Sequence, residues 1–354
     1  MASIQQVQAG SLLIGGGAPV SVQSMTNTDT RKREETLRQI QALEAAGCEL
    51  VRVSVFDEDA CANIRYFCDH SAVPLSADIH FDYRLALKSV ENGVHSLRIN
   101  PGNIGGADRV RMVADACKMH HVPIRIGVNA GSLEKPLLQK YGSATPEALV
   151  ESALGHVKLL EDAHFSDIVL SLKSSDVRTT VEAYRLCAKA CGYPLHVGVT
   201  EAGLPGQGTL KSAIGIGTLL LENIGDTIRV SLTGDPVEEV KAGFSILRAI
   251  GLRKGFQLVS CPTCGRTRID TPAIARRVEE AFAGEQAEVK VAVMGCVVNG
   301  PGEARDADIA LCGGEDSAAL FIHGKYVRKL TGDIAEAFIQ AVNDYIRGTL
   351  HEIQ

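Results

Sequence analysis

Four side chains in the last third of the chain have the types and spacing of a metal centre. Cys261 and Cys264 form a Cys-x-x-Cys pair around Pro262 and Thr263, turn residues that let both sulfurs face one ion. A third thiol, Cys296, lies in Met294-Gly-Cys-Val-Val-Asn-Gly-Pro-Gly-Glu303, a stretch whose glycines let backbone approach a bulky group closely. The fourth ligand has two candidates. Cys312 would complete four thiolates, which suits structural zinc or an ordinary iron–sulfur cluster. Glu303 would instead give iron a hard, weaker oxygen ligand that a substrate oxygen can displace. The remaining thiols have plainer readings. Cys187 and Cys191, one helical turn apart, read as core thiols, and Cys48, Cys61, Cys68 and Cys117 as core or helix-surface thiols.

A second set of chemistry-bearing residues sits inside apolar runs. Arg52 lies in Leu-Val-Arg-Val-Ser-Val, Arg98 in Ser-Leu-Arg-Ile-Asn, Arg125 in Pro-Ile-Arg-Ile-Gly-Val-Asn and Arg229 in Thr-Ile-Arg-Val-Ser-Leu, while Lys173 follows Ile-Val-Leu-Ser-Leu. In a strand, such a cation points away from its apolar neighbours, and residues two further on point with it, adding Ser54, Asn100, Ser175 and Ser231. Asp78 and Glu201 are the acids expected among them. Two acids leave five cations unbalanced, which favours a site for a multiply charged anion such as a diphosphate over ion pairs that merely organise the interior. Lys173 alone would also suit a Schiff-base aldolase, and the four cysteines alone a zinc-stapled binding module.

These residues need a scaffold, and the chain repeats one rhythm from residue 20 to about 252: short apolar strand, polar turn, amphipathic helix. The strands are Val20–Met25, Leu50–Val55, Pro74–Phe81, Ser96–Pro101, Pro123–Val128, Asp167–Ser171, Pro194–Val199 and Thr227–Leu232. Helical spacing fills Glu35–Ala46, Asp82–Glu91, Ala107–Met119, Pro146–Ala163 and Val177–Ala190, with Asp235-Pro236 opening a further helix and Gly47, Gly192 and Gly251 marking ends. Eight such units predict an α/β fold with a (β/α)8 TIM-type barrel, whose sites lie at the strand C-termini. The glycine-rich stretch 202–217 after the seventh strand could present backbone N–H groups to phosphate. Gly15–Gly17 reads as a hairpin turn. After Lys254-Gly255 the rhythm changes to strands near Gln257–Ser260, Val289–Met294, Ala307–Leu311 and Ala319–Ile322 and helices near Pro272–Ala283 and Asp333–Arg347. We therefore expect a barrel over residues 1–254 and a small α/β domain over 255–354.

Composition narrows the function classes. Apolar residues at 45% and charged residues at 22% are those of a folded globular chain, and no run reaches the roughly 18–20 apolar residues that span a bilayer. Net charge is −6, there is no tryptophan and aromatics are 5%, so nucleic acid and membrane surfaces are not expected partners. Ten cysteines without an export signal point to a cytoplasmic chain with free or metal-bound thiols.

Ser-Cys-Pro-Thr-Cys-Gly-Arg and Met-Gly-Cys-Val-Val-Asn-Gly-Pro-Gly-Glu resemble the 4-hydroxy-3-methylbut-2-enyl diphosphate synthase family of the non-mevalonate isoprenoid pathway, in its two-domain bacterial form. The resemblance covers nearly the whole chain and includes Val-Gln-Ser-Met-Thr-Asn-Thr at 22–28, Asp-Ile-His-Phe at 78–81, Arg-Ile-Asn-Pro-Gly-Asn at 98–103, Gly-Val-Asn-Ala-Gly-Ser-Leu at 127–133 and His-Val-Gly-Val-Thr-Glu-Ala-Gly at 196–203. It implies a [4Fe–4S] cluster on Cys261, Cys264, Cys296 and Glu303, with Cys312 a bystander. It implies that 2-C-methyl-D-erythritol 2,4-cyclodiphosphate binds at Arg52, Arg98, Arg125, Asn129, Lys173 and Ser231, with Asp78, His196 and Glu201 lining the same mouth. The activity implied is a two-electron reductive ring opening with loss of water, fed by flavodoxin or ferredoxin. Glu201 is the candidate proton donor, and Glu303 the exchangeable ligand. A head-to-tail homodimer is expected as well, because the helix after the eighth strand ends at the barrel's far rim and a four-residue linker spans at most about 14 Å.

Overall fold

Val7, Ala9, Leu12 and Ile14 alternate with exposed neighbours and form a hairpin of β1 (Gln6–Ala9) and β2 (Leu12–Gly15), turning at Gly10, whose φ of 59° suits glycine. The expected turn at Gly15–Gly17 is thus misplaced: the register Gln6↔Gly15 puts Gly15 at the open end of the ladder, where the three glycines lead toward the next strand. The structure is a computed structural model that describes residues 3–298, 302 and 304–350. Two units partition the chain, residues 1–252 and 253–354.

The first unit holds eight parallel strands, β3 (Ser21–Met25), β4 (Leu50–Ser54), β5 (Leu75–Asp78), β6 (Ser96–Ile99), β7 (Ile124–Asn129), β8 (Ile168–Lys173), β9 (His196–Val197) and β10 (Thr227–Ile228). They follow the order β8-β7-β6-β5-β4-β3-β10-β9, and a single bridge between Leu170 and Leu195 joins the two ends, so the barrel is nearly closed. Between the strands run helices such as Ala107–His120, Pro146–Asp162 and Val177–Ala190. Outward strand residues (Val51, Val53, Leu97, Ile99, Ile124, Ile126) form one fully buried core under them. Asp235 accepts from the Val237 N–H at 2.9 Å and starts the helix Pro236–Ala249, as its Asp-Pro pair implied.

Inside the barrel the usual branched apolar layers survive only at the bottom. There Val7, Ala9 and Ile14 of the hairpin pack on Leu50 and Val169 and plug the strand N-termini. Higher up, the same alternation turns Arg52, Asp78, Arg98, Arg125 and Lys173 inward, all buried.

In the second unit, β11 (Phe256–Ser260), β12 (Val289–Met294) and β13 (Ile309–Gly314) are parallel, and β14 (Ser317–Ile322) and β15 (Lys325–Leu330) extend the sheet antiparallel. The helices Thr271–Ala281 and Ile334–Ile346 bury Ile274, Val278, Phe338 and Val342 against Val291, Val293, Ile309 and Leu311. Ala292, Met294, Ala310 and Cys312 face the opposite side, where Ala304 and Ala307 pack on them.

Candidate active site

Strand register sets the site's geometry. Cα pairing places Arg98 beside Arg125, Asp78 beside Arg98, and Asn129 beside Lys173. Around a cavity of about 120 Å³ these residues are joined by Arg52, Arg229 and Ser231, and by His80, Ser171 and Thr200. A space of that size takes a small polyanion rather than a drug-sized molecule.

The cavity's charges are only partly matched. Asp78 accepts from Arg98 Nη1 at 3.1 Å and faces Arg52 Nε at 3.5 Å. Burial opposes its ionisation, but Arg52 and Arg98 outweigh that and hold the carboxyl below its ordinary range. Arg229 forms a two-pronged pair with Glu239, at 3.2 and 3.3 Å. Glu239 also accepts from the Ser24 hydroxyl at 2.9 Å and the Leu232 N–H at 3.0 Å. Arg52 points Nε and Nη2 at the Met25 sulfur, 3.1 and 2.9 Å away, a weak acceptor for so strong a donor. Arg125 is 5% exposed, and its Nε and Nη2 have no hydrogen-bond partner. Lys173 Nζ meets His196 Nε2 at 3.2 Å.

Five largely buried cations therefore face two carboxylates. Burial, then the repulsion of neighbouring arginines, pushes Lys173 well below its ordinary value. The same two causes lower Arg125 strongly, and burial leads in drawing Arg52 down to about 10. His196 is held well below 6.5 by burial, then by the charge of Lys173, so its imidazole is neutral and its Nε2 is free to accept. Such a cluster gains most from a ligand that brings several negative oxygens.

Glycines make room for these heads. A Cβ on Gly127 would stand 2.3 Å from Arg98 Nε, and one on Gly198 would stand 2.4 Å from the Arg229 carbonyl and 2.9 Å from Lys173 Nζ. Asn129, with its amide oxygen turned inward, accepts from Arg98 Nη2 at 3.2 Å.

Three expectations change. Glu201 is exposed, with φ 52°, and does not line the cavity, because β9 ends four residues before it and strand alternation no longer aims it. The second internal acid is Glu239, delivered by a helix; its signal was its place on the apolar face with Pro236, Val240 and Gly243. Ser175 is exposed because β8 stops at Lys173, and Ser171 takes the inward position below. His196 lies fully buried against Lys173, and the stretch 202–217 does not line the cavity.

In the second unit the cysteine loops leave one sheet edge. Cys261 follows β11 directly, its N–H donating to Val293 at 3.0 Å, and Cys296 lies two residues beyond β12. Cys264 is exposed and held in a turn in which its N–H donates to Thr267 Oγ1 at 3.1 Å. The Arg266 N–H, then the Arg266 charge, lowers its thiol, whereas burial and then nearby Cys296 push Cys312 up to about 12. Gly265 beside Cys264 has open space around its Cα. Three free thiols on neighbouring loops are a soft donor set that fits an iron–sulfur group, whereas burial disfavours a thiolate at Cys312. Among the described residues no three His, Cys, Asp or Glu side chains close to metal distance. Glu303 lies outside the described residues.

Known proteins place this arrangement. Residues 4–244 match the GcpE TIM-barrel domain, and residues 257–344 match the GcpE protein C-terminal domain. The chain is 56% identical to the 4-hydroxy-3-methylbut-2-en-1-yl diphosphate synthase (flavodoxin) of Clostridium perfringens, covering 96% of this chain and 97% of that protein. It is 57% identical to the protein of the same name from Geobacter sulfurreducens, with 96% and 97% covered. Among solved structures, Yersinia pestis dihydropteroate synthase aligns over 70% of this chain and 100% of its own at a TM-score of 0.51 and 14% identity, a likeness of barrel fold alone. No described helix is long and apolar enough to cross a membrane. Matched in both units and sharing over half its residues with such relatives along almost their whole length, the chain belongs to the GcpE family of 4-hydroxy-3-methylbut-2-en-1-yl diphosphate synthases.

Proposed function

We propose that this chain converts 2-C-methyl-D-erythritol 2,4-cyclodiphosphate to 4-hydroxy-3-methylbut-2-enyl diphosphate by a two-electron reductive ring opening with loss of water. The observation that carries the reading is the cation-lined barrel cavity, in which Arg125 keeps two buried N–H groups without acceptors. Diphosphate oxygens satisfy those donors. Arg52, Arg98 and Lys173 bind the remaining oxygens, while Asn129 and Ser231 orient the ring by hydrogen bonds. Asp78 fixes the Arg98 and Arg52 heads, and His196 accepts from Lys173 and so aims its ammonium. Proton delivery to the departing hydroxyl is assigned to Glu201, whose side chain is exposed outside the cavity lining but which directly follows cavity-lining Thr200.

Cys261, Cys264, Cys296 and Glu303 would hold a [4Fe–4S] cluster, which when bound supplies electrons one at a time. The relatives' names carry the word flavodoxin, and a flavodoxin is the proposed electron donor. The ten cysteines are free, which supports a reducing, cytoplasmic setting.

Iron, sulfide and turnover of anaerobically purified variants test the assignment. Cys296→Ser should lose iron, and Glu303→Ala should keep much of its iron yet lose most turnover, since three thiolates remain. Full activity in Glu303→Ala together with iron loss in Cys312→Ser would reverse the choice of fourth ligand. In the same assay, undiminished turnover in Glu201→Gln would remove that residue from proton delivery.

A further inference from the structure

Two thiols outside this site meet where the helix Val177–Ala190 ends. Cys187 and Cys191 are one turn apart in sequence, but the helix stops between them, and Cys191 caps it with extended backbone at φ −150° and ψ 163°. The two Sγ atoms lie 3.9 Å apart, and the Cys191 S–H donates to the Cys187 carbonyl at 3.5 Å. Cys187 is fully buried, whereas Cys191 is half-buried and open to small molecules.

The two thiols are also unequal as acids. The hydrogen bond between the two thiols, together with burial, holds Cys187 well above its ordinary value. That bond, helped by the Tyr193 N–H, draws Cys191 down to about 7 against the effect of burial. A half-buried sulfur 3.9 Å from a sealed one is the arrangement of an attacking and a resolving cysteine.

We propose that Cys187 and Cys191 form a reversible dithiol–disulfide site oxidised by hydroperoxides, Cys191 attacking and Cys187 resolving. The Cys191 sulfur attacks the peroxide oxygen; an S–O bond forms, the O–O bond breaks, and the departing hydroxide takes a proton to become water. The Cys187 sulfur then attacks Cys191, forming the S–S bond and breaking the S–O bond, and its own proton leaves with the second hydroxide as water. Two electrons pass from the two thiols to the peroxide. The sulfurs must close from 3.9 Å to about 2.05 Å.

Lys189 lies between the two cysteines, so trypsin separates them into Leu186–Lys189 and Ala190–Lys211. The full-length protein is exposed to equimolar hydrogen peroxide at pH 7, quenched with catalase, alkylated with N-ethylmaleimide in denaturant and digested without reductant. The two peptides should appear joined, lighter by two hydrogens than their sum, and dithiothreitol should separate them. Joining should precede any change at Cys68, which is also half-buried but whose thiol burial pushes up to about 12. Cys191→Ala should abolish it. In Cys187→Ala, Cys191 should accumulate as a sulfenic acid captured by dimedone. Recovery of both peptides with maleimide on each cysteine after Cys68 is oxidised, or no dimedone adduct in folded Cys187→Ala, would overturn the proposal.

Discussion

Arg125 is a buried cation whose cost is recovered only by a ligand. Two of its nitrogens lack acceptors, and Arg98 stands beside it in register, so it destabilises the empty barrel. Arg125→Ala should therefore leave the thermal midpoint unchanged or raise it. The same change removes charge-assisted hydrogen bonds worth about 1.5–3 kcal/mol and should weaken diphosphate binding by roughly 10- to 150-fold. Calorimetric titration beside a thermal melt reads both, and a lowered midpoint with unchanged affinity would make Arg125 structural. Lys173 gives a second residue-scale test. Its ammonium is disfavoured in the free protein by burial and by Arg125, Arg229 and Arg52, and bound anionic oxygens raise its pKa again. Binding must then take up protons, and affinity must rise as pH falls between the free and bound values. Titration heats in buffers of different ionisation enthalpy should show net uptake, which Lys173→Met should largely remove.

Among the elements, the seam between β8 and β9 has the single bridge Leu170↔Leu195, with the Leu170 N–H donating to Pro194 at 2.8 Å and the Thr200 N–H to Ser174 at 3.1 Å. Tyr184, from the helix Val177–Ala190, spans that seam. Its hydroxyl accepts from the Leu172 N–H at 3.0 Å and donates to the His196 carbonyl, while its ring is fully buried. Leu172 precedes Lys173, so this one phenol sets the separation of the Lys173–His196 pair. Tyr184→Phe keeps the packing but leaves a buried N–H and a buried carbonyl without partners, which should cost about 1–3 kcal/mol. Urea unfolding should show that loss, and a midpoint within error of the parent would mean the seam is held elsewhere.

For the whole molecule, the question is which barrel the second unit would serve if it holds the proposed cluster. The helix Pro236–Ala249 is 14 residues long and returns about 21 Å along the barrel. Gly251 and Leu252 donate to Arg248 and Leu247 and fold the chain back as a terminal turn. Lys254 is paired with Glu288 at 2.7 Å. As the sequence led us to expect, we propose a head-to-tail dimer in which the cluster each chain would hold serves the partner's barrel. Mixing Arg125→Ala with Cys296→Ser tests it. Random reassortment makes half the dimers mixed, each with one intact site, so activity should return to about a quarter of the parent. Inactive mixtures despite demonstrated subunit exchange would show that each chain serves itself.

What could be read from the chain alone was local. Strand alternation around Arg52, Arg98, Arg125 and Lys173 has a period of two wherever the backbone is extended, so the eight strands and their inward cations follow from neighbours in sequence. The Cys-x-x-Cys turn and the Asp235-Pro236 helix start are local in the same way. Where a strand stops is a tertiary matter: β8 ends at Lys173 and β9 at Val197, and alternation carried past those ends put Ser175 and Glu201 inside. Glu239 reaches Arg229 from a neighbouring helix, a pairing no periodicity within either element reveals. The edge strand β15 faces solvent at four of its six positions and carries Lys325, Arg328 and Lys329, so it looks like a loop until β14 supplies its partners. Spacing of four put Cys187 and Cys191 on one helix face, and only the structure showed that Cys191 lies just past the helix end with its sulfur 3.9 Å from that of Cys187.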